Sequence, residues 1–519
     1  MTTPRKGAFK ATISQPSKTP ARSASPIAHA FVLMLENRSF DNLFLNSRIP
    51  GRLPSTFNLM NVYHGKLGGI QDPTLGSQAT SLPNMPTDPG HEFPDVLEQL
   101  GGTTATYAKG GKYPTINNSG FVDNYAKTKP PQEWLGLIMG GFATAEQVPV
   151  IYHLATQFAL CDQWFSSLPG PTWPNRYFVH GASSAGLDHS PSTAEMFEWE
   201  TFDGFKYPHG SIYDAMNNSG VSWRLYYDSN GPLEGKIPQV ASIHNISFVS
   251  NLHSLDDFAS DLKKNYPYQY TFIEPNYGDV TGSYKGGSSQ HPMDGVAGGE
   301  SLIKAVYEAI RNSPIWNSSV LIITYDEHGG FYDSLAPGKA IAPDDNSSAK
   351  YNKYGFTFNQ LGVRVPAVIV SPYVTPGFVD HTIYDHTSIL ATVERVFGMS
   401  PLTARDASAN DLLHILHSPS PRADCPTTLN SPAAVPASAE LALTREQQAA
   451  ADRQPLPEGG NLPGFLAIML KTEIELSSGR ETEKAAILEN FKQLRKRGDA
   501  RAYIKRIMSK AEAARAKRK

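Results

Sequence analysis

Five short apolar runs recur along the first 370 residues: Ala30–Leu35, Ser222–Tyr227, Tyr270–Ile273, Val320–Tyr325 and Val365–Val370. Each is four to six residues long. That is the length of a buried strand and too short for a core helix. Amphipathic stretches lie between them. Leu302, Ile303, Val306, Tyr307 and Ile310 mark one helical face. Ile389, Leu390, Val393, Val396 and Phe397 mark another, with Gly398 placed to close it. Strands apolar on both sides belong in a sheet covered on both faces, as parallel sheets are. The alternation therefore predicts an α/β fold with a mostly parallel sheet and helices on both faces. No internal repeat with a period of 20–50 residues is present.

The 519 residues suffice for about three domains, or for one large domain with additions. Hydrophobic residues are 40% of the chain, enough for a sizeable core, so wholesale disorder is excluded. No apolar run of about 18 residues exists, so no transmembrane helix is expected. A formal net charge of −3 gives no reason to expect a nucleic-acid partner. Cys161 and Cys425 stand far apart, in no metal or redox spacing, which argues against a disulfide scaffold and a thiolate metal site. The 42 Gly and 40 Pro point to many ordered loops on a rigid scaffold, where active sites sit.

The two ends differ from the middle. Residues 1–28 are rich in Ser, Thr, Pro, Lys and Arg and read as a disordered arm. The first apolar run is too short for a signal-peptide core, so a cytoplasmic chain is expected. Residues 29–415 read as the catalytic domain and 416–460 as a Pro/Ala-rich linker. Residues 461–519 read as a helical, basic C-terminal segment. Lys492–Lys519 carries 12 Lys/Arg against two acids, a net of +10 that leaves −13 on the rest. With Ile504, Ile507 and Met508 at helical spacing, this segment suits weak contact with anionic membranes. A solvated helix reads equally well.

Four clusters look like chemistry. Glu36-Asn37-Arg38-Ser39-Phe40-Asp41 follows the first strand, where α/β sheets bind ligands, and Glu36 with Asn37 can offer oxygens to a hard cation. An ordinary strand-to-helix turn with a capping acid would look the same. Asp326-Glu327-His328-Gly329-Gly330 follows the most convincing strand. Two adjacent carboxylates there repel each other unless a cation or proton intervenes, though a surface acidic turn also fits. Gly170-Pro171-Thr172-Trp173-Pro174-Asn175-Arg176 is a loop stiffened by two prolines around one hydroxyl. Asn175 and Arg176, three and four positions on, could reach oxyanions, or the loop could be a rigid turn only. Ser166 and Ser167 lie before this loop and lack its setting. The fourth group is His91, His291, His381 and His386, in polar or Gly/Pro-rich loops. The nucleotide-binding Gly-rich loop, the Gly-x-Ser-x-Gly elbow and His-Glu-x-x-His are all absent.

Taken in order, these motifs resemble a known family. To them belong Phe331-Tyr332-Asp333 after Gly330, His291-Pro-Met-Asp294 with Gly299-Glu300, and Gly362-Val-Arg364-Val-Pro366. The chain over about 29–407 resembles the bacterial phosphoesterase family, which contains the non-specific and phosphocholine-preferring phospholipases C and related acid phosphatases. The resemblance implies a three-layer α/β/α sandwich of the alkaline-phosphatase-like kind. It implies Thr172 as nucleophile and one divalent metal on Glu36, Asn37, Thr172, Asp326 and Glu327. Oxygen ligands favour Ca, Mg or Mn and leave Zn open. His91, His291 and His328 then fall among the catalytic residues, and Asn175, Arg176 and His386 among the substrate-binding ones.

The expected activity is metal-dependent hydrolysis of phosphate esters. Its first form is phospholipase C-type phosphodiester cleavage through a phosphothreonine, with phospholipid as a candidate substrate. The alternative is an acid phosphatase acting on monoesters. Trp134, Phe142, Trp164, Phe165 and Trp173 could wall an apolar approach for lipid, or form core. A reading from another class is a non-catalytic membrane-binding protein using the basic segment. The sequence does not fix the oligomeric state.

Overall fold

The computed structural model describes residues 25–64, 84–192, 194–195, 203–345, 349–433 and 444–517. All five expected strands fall in one eight-stranded sheet: β1 (His29–Leu35), β2 (Ala159–Cys161), β3 (Trp223–Tyr227), β4 (Leu252–Ser254), β5 (Tyr270–Glu274), β6 (Ser319–Tyr325), β7 (Ala367–Val370) and β8 (Phe378–Asp380). The order is β4-β3-β5-β1-β6-β7-β2-β8. β7 runs antiparallel to both neighbours and every other pairing is parallel. The three strands not expected have three residues each, too few to show a pattern.

β1 and β6 pair in register from His29↔Ser319 to Leu35↔Tyr325. The motifs that follow them therefore leave the sheet side by side, and the Asp326 amide donates to the Leu35 carbonyl at 3.1 Å. This one pairing brings together residues about 290 positions apart.

The principal helices of the body are α1 (Phe40–Phe44), α2 (Phe93–Gly101), α3 (Pro149–Gln157), α4 (Thr172–Gly181), α5 (Ala297–Arg311) and α6 (Thr387–Phe397). Phe31 on β1 and Phe272 on β5 are one register step apart, so they point to opposite faces. Phe31 meets Phe258, on a short helix that touches α5, and α5 touches α3. Phe272 meets His180 of α4, which touches α6. Two helical layers thus enclose the sheet. α5 buries the expected face, and α6 stops at Gly398 in the left-handed region, φ 72°. A second apolar cluster, built from Phe93, Val96, Phe121, Phe331, Phe356 and their neighbours, lies over the loops that leave β1 and β6.

The C-terminal residues form α7 (Asn461–Glu475), α8 (Glu481–Phe491) and α9 (Arg497–Ala516). They are not a tail. Leu462, Phe465, Leu466, Ile504, Ile507 and Met508 belong to the same core cluster as the sheet. The apolar stripe on which membrane contact was expected is thus turned inward. Arg501 pairs with Glu234, Asp279 and Asp452, and Arg506 and Lys510 pair with Glu473, so part of the basic charge is matched locally. The first part of the expected linker is a strap on α5: Arg311 donates to the Cys425 carbonyl at 2.9 Å and Lys304 to that of Leu429 at 2.8 Å. Most of the expected arm, 1–24, and residues 434–443 of the expected linker lie outside the described residues. Among the described residues no helix is long and apolar enough to cross a membrane, and both cysteines are free and buried.

Candidate active site

Glu36 is the first residue beyond β1 and Asp326 the first beyond β6, and both are fully buried. The Asn37 side-chain amide donates to Thr172 Oγ1 at 2.9 Å and to Glu327 Oε1. Thr172 opens α4, where helix amides have no intrahelical partner and the chain is free to present a hydroxyl. Gly329 takes a φ of 61°, and a Cβ there would lie 2.3 Å from the Asn37 carbonyl oxygen. Only glycine lets the two strand-end loops approach this closely. Glu36, Asn37, Thr172, Asp326 and Glu327 are thus brought to one buried place.

This cluster carries more negative charge than the protein around it compensates. Burial holds the Glu36 carboxyl well above its usual range, and Asp326 adds to the effect. Asp326 is lifted to about 7 by burial, against the pull of Arg176. Burial would also raise Glu327, but His91, His328 and the Gly329 amide outweigh it and the group sits low. Glu36 Oε1, Glu36 Oε2 and Asn37 Oδ1 are buried with no hydrogen-bond partner. Orphaned buried oxygens are costly, and three together beside two more carboxylates fit a cation. The donors are all oxygens, which suits a hard divalent ion. Among the described residues no three His, Cys, Asp or Glu side chains are grouped to hold a metal alone. An ion here would need Asn37 and Thr172 as well.

The histidines divide. His91 Nδ1 donates to the Pro89 carbonyl at 3.0 Å. Burial disfavours its charge, but Glu327 and Asp88 prevail and lift it to about 9, so the ring is cationic at neutral pH. His291 lies at 6.5 Å from it, edge to face, and is held well below its usual range by burial and by His91. Its Nδ1 accepts from the Met293 amide at 3.2 Å, which places the proton on Nε2. A charged and a neutral imidazole thus stand together. His328 is clamped between Gln99 Oε1 at 2.7 Å and Glu327 at 3.3 Å, so it orients Glu327.

Three residues expected to bind substrate are engaged with the protein itself. The Asn175 amide donates to the carbonyls of Leu168, Gly170 and Pro171 and its oxygen accepts from the Leu168 amide, so it braces the loop before Thr172. Arg176 donates to Asp326 at 2.8 Å and to the Met34 and Leu35 carbonyls, lying beneath the carboxylates as their counter-charge. His386 bridges the Asp326 carbonyl at 2.6 Å and the Trp164 indole at 3.3 Å, and burial pushes it down to about 4. All three are buried, and apart from Arg176 Nη1, 3.8 Å from Glu274, their polar side-chain atoms find partners within the protein. Phe142, Trp164, Phe165 and Trp173 are core rather than an apolar approach, and Trp134 is half-buried. His381 pairs with Asp162 at 2.9 Å. Glu300 accepts from the Val150 and Ile151 amides, capping α3 away from the cluster.

Sequence reasoning missed Glu274, Gln99, Tyr284 and the role of Asp88. Glu274, at the end of β5, lies 3.8 Å from Arg176. Tyr284 stacks on His291 at 4.1 Å. The partners of Glu274 and Gln99 are distant in sequence, whereas Tyr284 and Asp88 lie seven and three residues from the histidines they meet. Asp88, His91, Glu92, His189, Lys353 and Tyr354, together with Glu458-Gly459-Gly460, line a groove of about 400 Å³.

A sheet whose central strand ends converge on a buried hydroxyl, carboxylates and a paired charged and neutral imidazole defines a hydrolase site built for an anionic ester. Comparison with known proteins agrees. Residues 27–400 match the model of the Phosphoesterase family, and the chain belongs to that family. It is a hydrolase acting on phosphate esters. It is 34% identical to non-specific phospholipase C3 of Arabidopsis thaliana over 446 residues, covering 80% of this chain and 78% of that one. Non-specific phospholipase C6 of the same plant is 35% identical, covering 78% and 75%. Phospholipase C A of Mycobacterium tuberculosis is 27% identical, covering 72% and 73%. The family therefore extends beyond bacteria. A solved protein of the alkaline phosphatase superfamily from Vibrio parahaemolyticus aligns with 52% of this chain and 65% of its own at a TM-score of 0.30 and 14% identity, too slight a likeness to bear on the fold.

Proposed function

We propose that this chain cleaves phosphodiesters in the manner of a phospholipase C, with Thr172 as nucleophile and one divalent ion in the cluster. The observation that carries this is the Asn37 amide, which holds Thr172 Oγ1 at 2.9 Å and Glu327 together beside the partnerless Glu36 carboxylate. Glu36, Asn37, Thr172, Asp326 and Glu327 would hold the ion, which when bound lowers the pKa of the hydroxyl and offsets the carboxylate charge. Asn37 accounts for one lone pair of Thr172 Oγ1 and fixes its aim.

Thr172 Oγ1, its proton released to solvent as the hydroxyl ionises, attacks phosphorus and a P–O bond forms on it. The opposite P–O bond breaks, and the departing alcohol oxygen takes a proton from cationic His91. Water then attacks the phosphothreonine and returns one proton to His91; the P–O bond to Thr172 breaks, Oγ1 takes its proton back from solvent, and the phosphomonoester leaves. His291 donates a hydrogen bond from Nε2 to a phosphoryl oxygen. Arg176 stays beneath as the counter-charge of Asp326. The groove beside His91 favours a diester over a monoester, because the second organic group needs room. The phospholipase C names of the relatives favour a phospholipid there.

Thr172→Ala tests the reading. It should lower turnover by several orders of magnitude with folding intact, and Thr172→Ser should keep measurable activity. Acid-quenched enzyme should carry phosphate on the peptide containing Thr172. Near-normal turnover in the alanine variant, or phosphate on Ser166 or Ser167, would overturn the nucleophile assignment.

A further inference from the structure

The start of α7 reaches the active site beside the groove, directly after Glu458-Gly459-Gly460. A Cβ on Gly464 would lie 2.0 Å from Cζ2 of Trp173, so this glycine sits flat against the indole. Phe465 is 5.7 Å from Trp173 and 5.1 Å from Tyr277. Tyr277 in turn lies 5.3 Å from the Arg176 guanidinium and donates to Glu274. On the other side, a Cβ on Gly460, the residue that precedes α7, would lie 4.0 Å from the Tyr284 hydroxyl. The Tyr284 ring stacks on His291 at 4.1 Å with 15° between planes.

The indole of Trp173 is buried and its N–H has no hydrogen-bond partner. Its orientation therefore depends on packing alone. Thr172 and Trp173 are the first two residues of α4, where the helix does not itself anchor the chain. Whatever fixes the indole thus also fixes the hydroxyl beside it. Misplacing a reacting group by about 1 Å can cost about a hundredfold in rate.

We propose that the first turn of α7, centred on Gly464, is a positioning element for the hydrolysis, aligning Thr172 through Trp173 and His291 through Tyr284. The proposal rests on the reading of Thr172 as nucleophile. Gly464 and Tyr284 are positioning residues and touch no reacting atom.

The test uses the full chain and a soluble chromogenic phosphodiester. Gly464→Ala pushes a methyl group into the indole and should lower kcat about tenfold, with KM within about twofold, inside the range a 1 Å misplacement allows. Adding Trp173→Phe removes the ring atoms that clash and should restore most of the lost kcat. Tyr284→Phe keeps the stack, removes the hydroxyl that lies against the start of α7, and should lower kcat while leaving Tm and KM nearly unchanged. Arg506→Ala, which removes an ion pair to Glu473 farther along the same segment, should leave kcat as it was. Full kcat in folded Gly464→Ala, or a loss that Trp173→Phe does not restore, overturns the proposal. If Gly464→Ala does not fold, unchanged kcat in Tyr284→Phe overturns it. Should Thr172→Ala remain active, the nucleophile reading fails; an inert Thr172→Ala beside a fully active Gly464→Ala removes only the positioning role.

Discussion

The motif that begins at Glu36 and the motif that begins at Asp326 each end in a second acid, Asp41 and Asp333, and the two ends of this motif pair behave differently. At the far end, Arg364 donates to Asp41 at 2.9 Å and to Asp333 at 3.0 Å, and backbone amides of Ser334 and Leu335 bond the same carboxylates. At the near end the two oxygens of Glu36 have no partner. Glu300 stands between these extremes, with amide partners from α3 and no cation. All four carboxylates are buried. Burial of an acid is thus no mark of function by itself. What separates the two ends is whether the protein itself supplies partners: it does at Asp41 and Asp333, and it does not at the Glu36 oxygens.

Four substitutions would break or sharpen this contrast. Glu36→Gln should lower activity about a hundred- to a thousandfold while Tm stays level or rises, because an uncompensated buried acid is removed. Divalent ions should raise the Tm of the parent chain and fail to raise that of the variant. A melting series with and without added metal reads both outcomes, and an equal metal shift in the two chains would place the ion elsewhere. Arg364→Ala should do the reverse. It leaves two acids buried without a cation and should cost about 3–5 kcal/mol of stability, seen as early unfolding in urea. Nearly unchanged urea stability would show that the two ends do not differ.

Asn175→Ala removes four hydrogen bonds from the loop before Thr172 and should cost about 1–3 kcal/mol, with a modest fall in kcat. Parallel denaturation and kinetics would separate the two effects, and an unchanged chain would show the loop stiff without it. The smallest effect belongs to Glu300→Gln. Burial lifts Glu300 to about 8 against the pull of its two amide bonds. Between its ordinary pKa near 4.5 and 8 the folded chain keeps a proton that the unfolded chain loses, so this contribution to stability is full at low pH and fades as pH rises. The glutamine variant should show a flatter dependence of Tm on pH across that window, and an unaltered slope would mean the group is ionised when folded.

Much of this was legible before any fold was known. The pairing of Glu36 with Asp326 could be read because both follow apolar runs that only a parallel sheet can bury. Thr172 stood out as the hydroxyl between two prolines. The partners of Asn175 and Arg176 could not be read for a definite reason. Their spacing from Thr172 places them near it on a helix, but which way that helix turns depends on Asp326 and the Leu35 carbonyl, about 140 to 150 residues away. His386 fails in the same way, since its partners, Trp164 and the Asp326 carbonyl, are remote. The reversed direction of β7 and the strands of three residues leave no periodic trace. The C-terminal segment misled because charge dominates its composition, while the few apolar residues at helical spacing decide where it packs.

The neighbours of β1 set a timetable for synthesis. Its partners in the sheet, from Tyr270 in β5 and Ser319 in β6, follow it by about 240 and 290 residues. At roughly 5–20 residues per second, a ribosome needs about 12–48 s to deliver even the first of them. For that time the run Phe-Val-Leu-Met-Leu is out with both edges bare, the kind of segment that pairs with its like on other chains. A holdase that covers newly made β1 until β5 arrives should therefore govern the soluble yield of this protein far more than its final stability does.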